Sequence, residues 1–327
     1  MLKKNRIYFN LTLIIIFFFI ILSVDFIYTN INKYMYPFDY EDPQSKIYKN
    51  FKPNLKKTYF SPITGKTVFC TDSNGFRGEC SNLNEKKFDY LIIGNIFAEG
   101  SELDFQDTFV GHMIKKSDLK FANLGNRSLN IIGISKKIKD IIKNDYVEFK
   151  EVILLIGPRI FYNNSNSNSL DNIKNNKFNF KRFVMSNFYL FNNFYNWLLF
   201  NIDRTKLWAY SKNNHYSSNL KIEDSFMKNL NNIYLDLKKN NKKLSIVIYP
   251  YPYHFLYQDF DKKFIFFLKD FCKNKCNSFI NTYPVFNSKI EKENIWDFID
   301  EIYLPYSVHF NKYGSQIIAN TIRKNLK

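Results

Sequence analysis

The sequence predicts an α/β fold of three layers, a doubly wound and mostly parallel sheet between helices, preceded by one transmembrane helix. Three observations carry this. Short apolar runs at Tyr90–Gly94, Val152–Ile156 and Leu244–Tyr249 each end at Gly or Pro and suit strands covered on both faces. The segments between them repeat apolar residues at helical spacing, which is the rhythm of a parallel sheet with helices on both sides. Ahead of them, Ile7–Tyr28 is apolar apart from Asn10, Thr12, Ser23 and Asp25.

About twenty apolar residues cross a bilayer as a helix. Lys3, Lys4 and Arg6 flank this stretch and should stay in the cytoplasm. A cleavable signal peptide competes with that reading, but Ser23-Val24-Asp25-Phe26 is a poor match to a small-residue cleavage site. The expectation is therefore a single-pass membrane protein with a cytoplasmic N-terminus. Its main domain would be extracytoplasmic, in the periplasm if the cell is Gram-negative. Residues 1–28 are the tip and anchor, 29–85 an extracytoplasmic stalk and lead-in, and 86–327 the α/β domain. Pro37, Pro43 and Pro53 punctuate the stalk and break helices there.

Within the domain, helices are expected at Asp107–Lys116, Ile131–Ile142, Asp224–Lys239, Phe260–Asn274 and Ser315–Leu326. Phe121–Gly125 and Ser278–Ile280 read as brief strands. An aromatic, Asn-rich insertion near 160–219 interrupts the alternation. Its block Ser186–Phe200 is broken by Asn187, Asn192, Asn193 and Asn196, so a second span is not expected. That block reads as cover for part of the domain, with a membrane-proximal surface as the alternative.

The chain of 327 residues carries a net charge of +17 and 19% aromatic residues. Its Lys residues are dispersed and often flanked by Asn, with no nucleic-acid module, so a solvated surface is expected and nucleic acid is not a partner. Four cysteines fall in two close couples, Cys70 with Cys80 and Cys272 with Cys276. Four cysteines allow three connectivities; in an oxidising compartment the two local bridges are favoured, reduced thiols being the competing state. Neither couple has a His at zinc-ligand spacing, so no metal is expected, and nothing calls for a cofactor.

The ends of predicted strands gather on one edge of such a sheet, where ligands bind. Here they are Gly94–Gly100, Asn123–Gly125 and Gly157–Arg159, joined by Ser307–Gly314 ahead of the last helix. Taken together these resemble the SGNH, or GDSL, hydrolases, and more narrowly the membrane-anchored SGNH-like proteins of bacterial envelopes. Asn74-Gly75-Phe76-Arg77-Gly78 looks like the Asn-Gly-Phe-Arg lead-in of those proteins. Gly94-Asn95-Ile96-Phe97-Ala98-Glu99-Gly100 is similar to Gly-Asp-Ser-Phe-x-x-Gly. Asn123-Leu124-Gly125 and Val152–Gly157 resemble the second and third blocks, and His309–Gly314 matches His-x-Asn-x-x-Gly.

The resemblance implies ester hydrolysis or acyl transfer by a Ser–His–Asp set with an oxyanion hole. Carried over position by position, it puts Ile96 where the nucleophile stands, Asn95 at the preceding Asp, and Arg159 at the third-block Asn. The Asp before the His falls on Tyr306 or Ser307. Gly125 and His309 keep their places, and the backbone N–H groups of Ile96 and Gly125 are the oxyanion-hole candidates. Ser101 is a displaced-nucleophile candidate, with Asp297, Asp300 or Glu301 as substitute orienters of His309. Arg159 could contact an anion or pair with a nearby acid. Tyr251 and Tyr253, in the Tyr-Pro-Tyr-Pro-Tyr-His run 249–254, are candidate glycan contacts or part of a rigid packed loop.

The expectation is thus an SGNH-like protein without the usual hydrolytic activity. It would bind or position an envelope glycan or polysaccharide, or a protein partner that modifies one. The alternatives are an active esterase or O-acyltransferase on cell-surface polysaccharide, and a structural membrane protein that docks a partner.

Overall fold

The computed structural model describes residues 2–35, 40–61, 64–80, 85–158, 188–211, 220–258, 262–290 and 294–326. The candidate Arg159 lies outside them. Helix α1 spans Leu2–Met35. Its stretch Asn10–Thr29 is long and apolar enough to cross a membrane. Two compact units are resolved, and α1 belongs to the first, Met1–Pro37 with Asn168–Leu207.

The second unit, Phe38–Ser167 with Trp208–Lys327, is the α/β domain. It opens with an antiparallel hairpin of β1 (Lys56–Ser61) and β2 (Gly65–Cys70). There follow β3 (Lys87–Ile93), the single-turn helix α2 (Ile96–Glu99), α3 (Phe109–Lys115), β4 (Phe121–Asn123), α4 (Ile131–Lys143) and β5 (Glu148–Ile156). Helix α5 (Tyr189–Ile202) belongs with α1 to the first unit. The α/β unit resumes with α6 (Leu220–Lys239), β6 (Lys243–Ile248), α7 (Pro252–Leu256), α8 (Lys262–Cys272) and β7 (Ser278–Asn281). It ends with α9 (Tyr283–Ile290), α10 (Ile295–Ile302) and α11 (Lys312–Asn325).

Strands β3 to β7 form one sheet in the order β4-β3-β5-β6-β7, and every pair is parallel. Counted along the chain this is the 2-1-3-4-5 order of flavodoxin-like sheets, with its switch point between the first and third strands, here β3 and β5. The strands are apolar because both faces are covered. Leu91, Ile93, Val152, Leu154 and Ile246 pack against α4, α6 and α8 through residues such as Ile134, Leu230 and Leu268. By the pleat, Ile92, Ile153, Leu155 and Val247 face the other way and are equally buried. Helix starts carry the polar caps their sequences offer. Thr108, Asn130 and Asn311 each accept a hydrogen bond from a backbone N–H of the first turn, which also sets where α3, α4 and α11 begin.

The lead-in differs from the extended stalk expected of it. From Tyr40 onward it folds onto the α/β unit, because Tyr40, Phe51, Tyr59 and Phe69 have enough apolar surface to build a small core of their own. Prolines stop helices there without preventing this packing. Cys70 is bonded to Cys80, and Cys272 to Cys276.

Docking of the lead-in buries a charge. The Lys137 ammonium on α4 is fully buried, donates to the Lys49 carbonyl at 3.2 Å, and senses Glu41 and Glu99. Burial outweighs those two carboxylates and pushes Lys137 down to about 7. An unfolded chain keeps its Lys protonated to about pH 10.4. Between about pH 7 and that value the unfolded state binds more protons, so stability rises with pH; below pH 7 the cost is constant. Lys137→Met removes the cost and leaves the Lys49 carbonyl paired with Asn126. Denaturant unfolding of the full chain in detergent should show Lys137→Met more stable at pH 6 by up to roughly 4 kcal/mol, with a flattened rise from pH 7 to 10. An unchanged pH slope would show that the ammonium titrates elsewhere.

Candidate functional site

Strand β3 ends at Gly94, and the chain turns at once into α2. The Asn95 side chain caps this helix by accepting from the Phe97 N–H, and Gly100 closes it in the left-handed region at φ 61°. Gly94 must be small because an added Cβ would press on Leu155 and Ala98 at about 3 Å. This turn presents Ile96, the residue that the sequence resemblance aligns with the nucleophile. Its N–H, at the first helical position, has no hydrogen-bond partner among the described residues.

The second block is pressed against this turn. A Cβ on Gly125 would sit 2.3 Å from the Glu99 nitrogen and 2.4 Å from the Ala98 carbonyl carbon. Asn123 fastens the contact, donating its amide to the Ala98 carbonyl at 2.6 Å and accepting from the Gly125 N–H at 2.9 Å. The Gly125 N–H, an oxyanion-hole candidate, is thus already spent inside the protein. Buried Glu99 extends the clasp. Both its oxygens are taken by Arg127, through the backbone N–H at 2.6 Å, Nε at 3.0 Å and Nη2 at 2.6 Å. Burial by itself would lower the Arg127 guanidinium, but Glu99 overrides it and holds Arg127 above its usual range.

His309 reaches the same place from the turn before α11. Its Nδ1 lies 2.9 Å from Glu102 Oε2 and 3.0 Å from Ser307 Oγ. Facing a carboxylate, Nδ1 must carry the proton. The Ser307 hydroxyl donates to Glu102 at 3.3 Å and accepts the His309 backbone N–H at 3.1 Å. Burial raises the Glu102 carboxyl, but the charge and hydrogen bond of His309, the Ser307 hydroxyl and Arg127 together hold it below the usual carboxylate range. His309 Nε2 has no hydrogen-bond partner among the described residues, and the side chain is 17% exposed. An oriented imidazole with one nitrogen open is what general-base chemistry requires.

Glu102 thus takes the orienting role, not Asp297, Asp300 or Glu301. Those three follow the chain towards His309 in sequence, whereas Glu102 reaches it from the far side of the β3 loop. Tyr306, one of the two positions that the resemblance aligns with an Asp, stands in the left-handed region at φ 58°, and Ser307, the other, hydrogen-bonds the imidazole. Ser101 is buried and lines the same pocket, but among the described residues no hydrogen bond joins it to His309. Ser307 sits at Nδ1, on the carboxylate side, so its hydroxyl cannot pass a proton to the open Nε2. Acidic Glu102, two residues past Gly100, was the available signal for this role, yet only folding joins it to His309.

The pocket holding Ile96, Ser101, Glu102 and His309 has a volume of about 30 Å³, enough for water and too small for a sugar ring. Aromatic rings fill the adjoining space. Phe97 lies 4.4 Å from Tyr249, 5.2 Å from Tyr251 in a stacked arrangement, and 4.8 Å edge-on from His309. This corrects the expectation for Tyr251 and Tyr253. Both are buried, Tyr251 against Phe97 and Tyr253 stacked on His254 at 4.0 Å, because the Pro-rich run folds into α7 and turns its rings inward. Neither offers a face to a glycan. Among the described residues no group of three His, Cys, Asp or Glu stands together to hold a metal.

No protein-family model and no curated protein matches the sequence. Solved structures similar to this chain include a G-D-S-L-family lipolytic protein from Desulfitobacterium hafniense, at TM-score 0.44 and 11% identity over 74% of this chain and 100% of that one. They also include an acetylxylan esterase from Geobacillus stearothermophilus, at 0.42 and 12% over 73% and 93%. A family 3 carbohydrate esterase from Clostridium thermocellum matches at 0.38 and 14% over 73% and 95%. Likenesses this shallow carry no chemistry across.

Three substitutions test the site's construction. Gly125→Ala forces a Cβ into the backbone of α2 and should cost about 1–3 kcal/mol, read as a Tm lowered by about 2–4 °C per kcal/mol. Glu102 contributes stability above its unfolded pKa of about 4.3, lost as pH falls through its lower folded value. Without His309 the Glu102 carboxylate loses its main compensation for burial, so His309→Gln should be less stable near neutral pH, with the deficit shrinking as pH falls and Glu102 is protonated. Adding Glu102→Gln should recover stability near neutral pH; a deficit that does not change with pH would show that the pair does not interact. The strand order, with the sequence blocks collected at the carboxyl edge around Ile96, Gly125 and His309, makes this an SGNH-hydrolase-like α/β fold.

Proposed function

We propose that this chain is a membrane-anchored, extracytoplasmic SGNH-like protein that has lost ester hydrolysis through an acyl-enzyme, and that it binds or positions an envelope glycan or a protein that modifies one. One observation carries the loss: Ile96 stands at the nucleophile position and lines a pocket of about 30 Å³ with His309. Covalent catalysis needs a nucleophilic atom there, and a hydrocarbon side chain has none. The engaged Gly125 N–H points the same way. The apolar N-terminal helix supports the anchor. The glycan class rests on the resemblance of Asn74–Gly78 and the later blocks to envelope proteins of this type.

A second reading is favoured by the Glu102–His309 pair, whose open Nε2 is suited to deprotonating a hydroxyl. On that reading the chain is an esterase or O-acyltransferase with a displaced Ser, of which Ser101 lies nearest in sequence to the turn. The two readings separate cleanly. The full chain in detergent should give no adduct with a fluorophosphonate probe and no turnover of p-nitrophenyl acetate or acetylated polysaccharide. Turnover lost in His309→Ala, or an adduct mapped to Ser101, would overturn the first reading and establish the second.

A further inference from the structure

The unit formed by α1 and α5 is built inside out. On α5, Phe191, Phe194, Leu198 and Ile202 follow one another at helical spacing along one face, with Trp197 beside them, and all are exposed, Trp197 by 51% and Ile202 by 71%. Asn193 and Asn196, on the other side, are less exposed. Asn201 shares the apolar side but turns its amide back onto the Trp197 carbonyl at 2.7 Å. A helix on a water-facing surface has the opposite arrangement. The side chains of α1 from Leu11 to Tyr28 are also largely exposed and apolar.

The two helices are tied at one point. Asp25 of α1 is 1% exposed, and its Oδ2 accepts the Phe191 N–H at 2.9 Å, within the first turn of α5. Its Oδ1 accepts from Thr29 at 3.2 Å. A carboxylate at a helix N-terminus meets unpaired N–H groups and the positive end of the helix dipole. Phe26 and Phe188 pack beside it with rings 5.8 Å apart. Asp25 lies four residues before the end of the apolar stretch Asn10–Thr29, or about 6 Å along the helix at 1.5 Å per residue. That is the depth at which interfacial helices lie, about 5–10 Å into the headgroup and acyl boundary. With 14 residues α5 is about 21 Å long, too short to cross about 30 Å of hydrocarbon. Just past its end, Arg204 stacks on Phe200 at 3.7 Å and Lys206 is exposed, as suits the headgroup level.

We propose that α5 is an interfacial membrane helix. Its Phe191–Ile202 face is embedded in the lipid of the bilayer that α1 crosses, on the Thr29 side, with the Asp25 carboxylate holding it at that depth. This rests on reading α1 as a membrane span. The occupant of the aromatic face is lipid because the tether itself lies within the apolar stretch of α1.

The test uses the full chain with Trp208→Phe and Trp296→Phe, which leaves Trp197 as the one tryptophan, in phosphatidylcholine–phosphatidylglycerol vesicles. Trp197 emission should be largely lost with lipid brominated near the glycerol end of the acyl chains. It should survive lipid brominated near the terminal methyl, and aqueous iodide should not quench it. Asp25→Ala should abolish the depth preference, and an unchanged profile in that variant would overturn the tether. Trp197 quenched by iodide, or shielded from iodide and both lipids alike, would overturn lipid as the occupant. Alkaline carbonate extraction of the same vesicles separates the two levels. A chain that resists extraction while Trp197 shows no lipid quenching keeps its anchor and refutes the interfacial helix; a chain that is extracted refutes the anchor itself.

Discussion

The site depends on a close approach of two backbones. Gly125 lies against the Ala98–Glu99 peptide with no room for a Cβ, and Asn123 bonds to both sides of that contact. Glu99, buried beneath, has both oxygens held by three N–H groups of Arg127. Once these loops are locked, the turn that carries Ile96 and the loop that carries Glu102 have fixed places. The same lock engages the Gly125 N–H, which bonds to Asn123 and not outward to the pocket.

Arg77 extends the lock to the lead-in. Its guanidinium is buried and donates to the carbonyls of Cys70, Gly78, Val68 and Leu103, while Phe69 stacks on it at 4.3 Å. Burial brings it down to about 10, still charged at neutral pH. Its own N–H continues onto the Asn123 carbonyl at 3.0 Å. A planar donor fork is suited to collecting several carbonyls from different segments. The Asn-Gly-Phe-Arg block is therefore architectural: it joins the hairpin of β1 and β2, the loop after α2 and the end of β4.

The central contrast of the site is an oriented imidazole beside a hydrocarbon side chain. Glu102, Ser307 and His309 form a hydrogen-bonded set that orients the imidazole, and Ile96 lines the same small pocket. The pair also ties the β3 loop to the turn before α11. Holding two distant segments together is a structural role for the pair whatever its chemistry.

Much of this was legible along the chain. Apolar runs at 90–94, 152–156 and 244–249 mark strands because both faces of a parallel sheet must be dry, and caps such as Thr108, Asn130 and Asn311 mark helix starts because they satisfy local N–H groups. The turn that carries Ile96 is bounded by Gly94 and Gly100, and both glycines are visible in the sequence. What local pattern could not reveal were pairings between distant segments and the side a ring faces. Glu102 lies 207 residues before His309, Asp25 caps a helix 166 residues away, and Tyr251 and Tyr253 turn inward. Sequence spacing governs which residues share one strand or helix face. Which of those faces meet, and whether lipid, water or protein covers them, is decided only when the whole chain closes on itself.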